Sequence, residues 1–135
     1  MPKKVEVANW LAHKKEGAEQ PLITHLQQTA ALAQSYGNKW GAGELAYLMG
    51  LLHDVGKYSE AFQRRLNGEN LQVDHSTAGA QLAWQSCAGL GFIPAFCIAG
   101  HHGGLPDMIG SQEGRKSLKE RLKKQVPDYQ AYQGE

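Results

Sequence analysis

Residues 51–57 read LLHDVGK, an apolar helical stretch that runs straight into a histidine, a carboxylate and a lysine. Leu45, Leu48, Met49 and Leu52 share one side of the helix expected over 44–52, so its end is aimed at the interior. Burying a charged group without a partner is costly. His53, Asp54 and Lys57 therefore need polar partners from elsewhere in the chain. Any acceptable fold must bring those partners to one helix end.

The rest of the chain also reads as helices. Leu22, Leu26, Ala30, Ala33 and Tyr36 recur at helical spacing over 22–36, with Pro21 suited to the first turn and Gly37 to the end. A short helix is expected at 59–66 with Ser59 as cap, followed by a turn at NGEN, 67–70. A further helix over 76–90 would turn Ala80, Ala83, Trp84 and Cys87 inward, and GLGFIP would break it. Pro94 then opens PAFCIAGHH, and Leu118, Leu122 and Val126 mark an amphipathic helix over 112–126. Period-2 alternation is scarce and no hairpin is expected. The reading is an all-α helical bundle in one domain, residues 1–135.

Apolar residues make up 41% of the chain and charged ones 20%, which suits a globular domain and excludes a disordered one. No apolar run approaches the ~18 residues of a membrane span. The opening MPKKVEVANW has no following apolar block, so no signal peptide is expected and the location is read as cytoplasmic. Cys87 and Cys97 sit in apolar surroundings outside any CxxC pair and are read as buried thiols. A net charge of +1 offers no global argument for nucleic acid, although RKSLKERLKK at 115–124 is locally basic. That helix could contact phosphates but is read first as a solvated face packed through Leu118 and Leu122, and Trp10, Trp40 and Trp84 are read as core residues rather than base-stacking ones.

The chain has six histidines. His13 lies in a polar stretch and is read as exposed. His25 falls within the first long helix, His53 ends the second, His75 starts the fourth, and His101 and His102 end the fifth. One such histidine is an ordinary core residue; five beside helix ends with an adjacent carboxylate point to metal. Imidazole and carboxylate donors suit Mn²⁺, Fe²⁺, Co²⁺, Ni²⁺ or Zn²⁺, with Mg²⁺ a further candidate. The donors exceed what one tetrahedral ion needs, and two ions sharing Asp54 would use them all.

His25, then HDVGK, DHSTAGA and GHHGGLPD, in that order, resemble the HD superfamily of metal-dependent phosphohydrolases. Within it the chain most resembles the CRISPR-associated HD nuclease of type I interference systems, over Trp10 to Asp107. The resemblance implies an HD-domain helical bundle with one metal on His25, His53 and Asp54. It implies a second on His75, His101 and His102, with Asp54 contributing to both. Asp54 and Lys57 would be catalytic, with Lys57 near the scissile phosphate. Single-stranded DNA, a superfamily 2 helicase and the CRISPR surveillance complex are the implied partners. The family supplies a further aspartate to the first metal from a later helix; Asp107 and Asp128 do not match its context, so the chain is expected to stop before it.

Two ions about 4 Å apart would clamp a phosphate and activate water, and Lys57 would neutralise charge on the phosphoryl oxygens. Gly56 would permit close backbone approach, or simply end the helix. Ser76 is expected to cap its helix. Gly103 and Gly104 would turn the chain sharply after the double histidine and leave room for a strand. Asp74 would orient a histidine or stay solvated. Two alternatives stay open: a phosphohydrolase of nucleotides or cyclic dinucleotides, and an inactive metal-binding module.

Overall fold

The computed structural model describes residues 9–87, 89–110 and 116–135. The described chain is mostly helical. It opens with a small antiparallel hairpin, β1 (Leu11–Lys15) and β2 (Ala18–Pro21). There follow α1 (Leu22–Gly37), α2 (Gly43–Leu52), α3 (Glu60–Leu66), α4 (Ser76–Ser86), α5 (Phe92–Gly100) and α6 (Leu118–Leu122). Short 3₁₀ turns lie at Asn38–Trp40, Val55–Lys57 and Gln130–Gly134.

The hairpin corrects the expectation that none would form. Glu16 and Gly17 both take positive φ, 47° and 82°, between the paired residues Lys15 and Ala18. That is the pattern of a tight two-residue hairpin turn. Alternation is missing because little of the hairpin touches the core: Ala12 is buried and Leu11 half-buried, while residues 13–19 face solvent. The buried Gln63 side chain holds β1 instead, accepting from Leu11 N at 3.1 Å and donating to Leu11 O at 2.9 Å. His13 is exposed, as expected, but on a strand.

Two apolar clusters flank the segment that carries His53 and Asp54. Leu52 packs with Ala80, Ala83, Ala95, Ile98 and Leu118. Val55 packs with Ala12, Leu22, Leu26, Tyr58 and Ala78. Residues only three apart thus anchor different clusters, and the two polar residues between them are held in the seam. Glycine makes the seam narrow. A Cβ on Gly56 would lie 2.2 Å from the His75 carbonyl, and one on Gly79 would lie 2.2 Å from the Leu52 carbonyl. The start of α4 is therefore pressed against the end of α2.

Several core assignments are corrected. Tyr36 and Trp84 lie on the exposed sides of their helices, and Trp40 is 87% exposed in the turn after α1. Trp10 does pack inward, against Tyr58 at 5.7 Å between ring centroids. Cys97 is exposed and Cys87 half-buried, so neither is a buried thiol. Helix α4 ends at Ser86, earlier than expected, and α5 starts at Phe92, two residues ahead of Pro94. The expected 112–126 helix is reduced to α6; its residues 112–115 lie outside the described residues. The signal for the true start was present in SLKE: Ser117 accepts from Glu120 N, and Glu120 returns to the Ser117 backbone, a reciprocal cap.

Candidate metal centre

Helix ends leave backbone carbonyls without intrahelical donors, and two histidines use them. His53, just after α2, donates Nδ1–H to the Gly50 carbonyl at 2.6 Å. His101, just after α5, does the same to Ile98 at 2.6 Å. Each bond fixes the ring and turns Nε2 away from the helix end, toward Asp54. This is why histidine belongs at these apolar termini: one nitrogen closes the helix and the other serves the site.

The inward nitrogens meet on one carboxylate. Asp54 is 3% exposed. Its Oδ2 lies 3.0 Å from His25 Nε2, 3.1 Å from His53 Nε2 and 3.1 Å from Lys57 Nζ. Its Oδ1 lies 3.2 Å from His101 Nε2, 3.5 Å from His75 Nε2 and 4.0 Å from His102 Nε2. The two oxygens thus face two groups of donors: His25, His53 and Asp54 on one side, and Asp54, His75, His101 and His102 on the other. The five histidines singled out in the sequence all converge. Among the described residues, neither Asp107 nor Asp128 joins either group; Asp128 accepts from Gln130 N instead.

The donors fit a divalent ion. His25 Nε2 and His53 Nε2 are 3.2 Å apart, and His75 Nε2 and His102 Nε2 are 2.8 Å apart. Neighbouring ligands at about 2.1 Å from one octahedral ion would be about 3.0 Å apart. Ring nitrogens facing each other across such gaps call for a cation or a shared proton between them. Two sets of nitrogen and carboxylate donors with no sulfur match the borderline-hard divalent metals.

Electrostatics favours the metal-binding form at three of the donors, Asp54, His75 and His102. Burial pushes the Asp54 carboxyl up, but hydrogen bonds from His101, His25 and His53 outweigh it and hold the group far below the usual carboxylate range. Burial lowers His75 to about 4, with Lys57, His102 and His101 adding to the shift against Asp54. His102 is lowered by burial and by His101. His101 moves up: burial lowers it, but its bonds to Asp54 and to the Ile98 carbonyl prevail. The outer Nδ1 of His75 is buried with no hydrogen-bond partner, unlike those of His53 and His101.

Lys57 is not a surface lysine. It is 4% exposed, and its ammonium donates to the Ala12 carbonyl at 3.2 Å while pairing with Asp54. The hairpin missed in the sequence is thus part of the site's support. His13, on β1, meets His25 edge-on at 5.2 Å between centroids, outside both donor groups.

Asp74 neither orients a histidine nor stays solvated. It accepts from Thr77 N at 3.1 Å, Thr77 Oγ1 at 2.6 Å and Lys124 Nζ at 2.7 Å. It therefore takes over the capping expected of Ser76, whose hydroxyl instead accepts from Arg121 Nη2 at 2.9 Å. The order Asp-His-Ser-Thr held this signal, since an Asp three residues before Thr77 can reach its N–H.

The family model described as the HD domain matches residues 22–129, most of the chain, and the chain belongs to that family. No curated protein gives a match. Family and donor set together make this an HD-type metal-dependent phosphohydrolase domain. No helix among the described residues is long and apolar enough to cross a membrane.

Proposed function

From that membership we propose that the chain is a DNA nuclease that cleaves phosphodiester bonds, favours single-stranded DNA, and acts in the cytoplasm with a superfamily 2 helicase and the surveillance complex in type I CRISPR interference. The observation that carries the reading is the convergence of His25, His53, His75, His101 and His102 on the two oxygens of Asp54. The ordered segments HDVGK, DHSTAGA and GHHGGLPD support the nuclease subtype over its relatives.

Bound divalent ions supply Lewis acidity at the phosphoryl oxygen and a water of lowered pKa. The chain's own residues do the rest. Asp54 offers one oxygen to each donor group, so it sets the spacing between them. Gly50 and Ile98 carbonyls hold the His53 and His101 rings with Nε2 turned toward the site. Lys57 fixes Asp54 from within and lowers the cost of burying its charge. On this geometry Lys57 is a positioning residue, acting through Asp54. As metal ligands, imidazoles complete the sites without adding negative charge that would repel a phosphate.

The test is cleavage of a labelled single-stranded oligonucleotide with Mn²⁺ or Co²⁺, run beside a cyclic dinucleotide. Metal-dependent cutting of the oligonucleotide that vanishes in Asp54→Ala is the expected result. Turnover of the cyclic dinucleotide alone would transfer the chain to the nucleotide-hydrolysing branch. Metal uptake with neither activity would make it a binding module.

A further inference from the structure

A cavity of about 480 Å³ opens beside the four-donor group, and nothing described so far uses it. Its walls include Asp74, Ser76, His102, Lys116, Arg121 and Lys124. His102 belongs both to this wall and to the donor group, so anything entering the cavity lies against the metal centre. The charge of the lining is lopsided, with three cations to one carboxylate.

The cations are held in different ways. Arg121 is pinned by neutral acceptors: Thr77 Oγ1 at 3.0 Å, Ser76 Oγ at 2.9 Å and the Ala99 carbonyl at 2.5 Å. Its nearest approach to Asp74 is 3.8 Å. Lys124 takes the stronger share of that carboxylate at 2.7 Å. Lys116 is exposed and, among the described residues, makes no ion pair. Tying α4 to α6 accounts for Arg121 and Lys124. Among the described residues it leaves Lys116, and the surplus of positive charge facing an open volume, without an ion-pair partner. The other wall is the Gly103–Gly104 turn, where a Cβ at either position would meet nothing within 4 Å and Gly104 takes φ +87°. An open, positively charged concavity concentrates anions.

We propose that this cavity holds a second phosphate of a nucleic-acid strand, the one flanking the phosphodiester presented to the metal centre, with Lys116 and Arg121 as its counter-charges. The inference rests on the phosphodiester reading and deepens it: the site would select substrates with phosphates in series over an isolated diester. A cyclic dinucleotide also carries a flanking phosphate, so it serves as the competing source.

The experiment measures fluorescence anisotropy of a labelled thymidine oligonucleotide in EDTA, where no cleavage occurs, across a salt series. Lys116→Ala should weaken Kd by about tenfold, the loss of one charge-assisted contact. It should also make the slope of log affinity against log salt shallower by about 0.7, one phosphate on a single strand. Lys116→Arg should restore both. An unchanged slope, or no measurable binding by the wild type, overturns the proposal. So does a cyclic dinucleotide whose Kd responds to Lys116 while that of the oligonucleotide does not. Hydrolysis of bis(p-nitrophenyl) phosphate with Mn²⁺ is the separate control, expected to be equal in wild type and Lys116→Ala. Its absence in wild type would sink the phosphohydrolase reading while the anisotropy result stood on its own.

Discussion

The two donor groups around Asp54 share a carboxylate but live in different surroundings. His25 and His53 come from α1 and the end of α2, both half-buried, and Lys57 and the hairpin back the same oxygen. His75, His101 and His102 come from the start of α4 and the end of α5, where the His102 side chain is 57% exposed beside the basic cavity. One group is braced by packing and offers three donors; the other is open and offers four. Openness is confined to the second face, at His101 and His102; His75 on that face has the least exposed side chain of the five histidines. The braced side sets the geometry, and the open side is where a substrate can arrive.

The largest break in this comparison is removal of the shared group. Asp54→Asn should abolish tight metal binding on both sides and lower phosphodiester hydrolysis by at least about 10³-fold. It also strips Lys57 of its buried partner, so the variant should lose about 3–5 kcal/mol of stability. Metal content by mass spectrometry and a denaturant melt read the two effects separately.

Next come single histidines, one from each side. His53→Ala should remove one ion and leave the other, and His101→Ala should remove the opposite ion, each with activity down by about 10–100-fold or more. Titration calorimetry counts the ions. If both variants lost both ions, the two groups would be one cooperative site and the comparison would fail.

Lys57→Met sharpens the contrast more gently. Metal content should hold while kcat falls by about tenfold, because the carboxylate is less firmly placed. An unchanged kcat would show that the hairpin side braces the fold only.

The smallest effect is expected at Asp74, which staples α4 to α6 on the open side. Hydrogen bonds from Lys124 and Thr77 outweigh burial and hold its carboxyl well below the usual range. A depressed acid contributes stability above its unfolded pKa of about 4 and loses it as pH falls toward the folded value. Asp74→Asn should therefore cost about 1–2 kcal/mol at pH 7, and the gap to wild type should shrink below about pH 4. His75 has the same sign at higher pH. Its lowering to about 4 means that the metal-free protein should lose stability as pH drops from about 6.5 toward 4.

Much of the fold was legible because helices announce themselves by period. Leu22, Leu26 and Ala30 are buried as their spacing requires, and Ser59 caps α3 by accepting from Phe62 N. The hairpin escaped because residues 13–19 all face solvent, so no apolar alternation marks its strands. Trp40 misled because its size suggests burial, whereas the turn that carries it projects from the end of α1. At the site, the histidines were readable by type and place. Lys57 was marked for the site by its place three residues after Asp54, but its contact with β1 was not legible, because nothing local shows the hairpin folded over it.

The amino-acid order by itself determined which donors this protein owns: helical stripes that end in imidazoles, one aspartate among them, and no thiolate ligand. Those properties are local, written in side-chain chemistry and spacing. Only the tertiary structure decided which histidine faces which oxygen of Asp54, that Lys57 sits behind it, and that a basic cavity adjoins His102. Those depend on distances between helix ends far apart in the chain, set by how closely Gly56 and Gly79 let the backbones approach, and no short-range pattern encodes them.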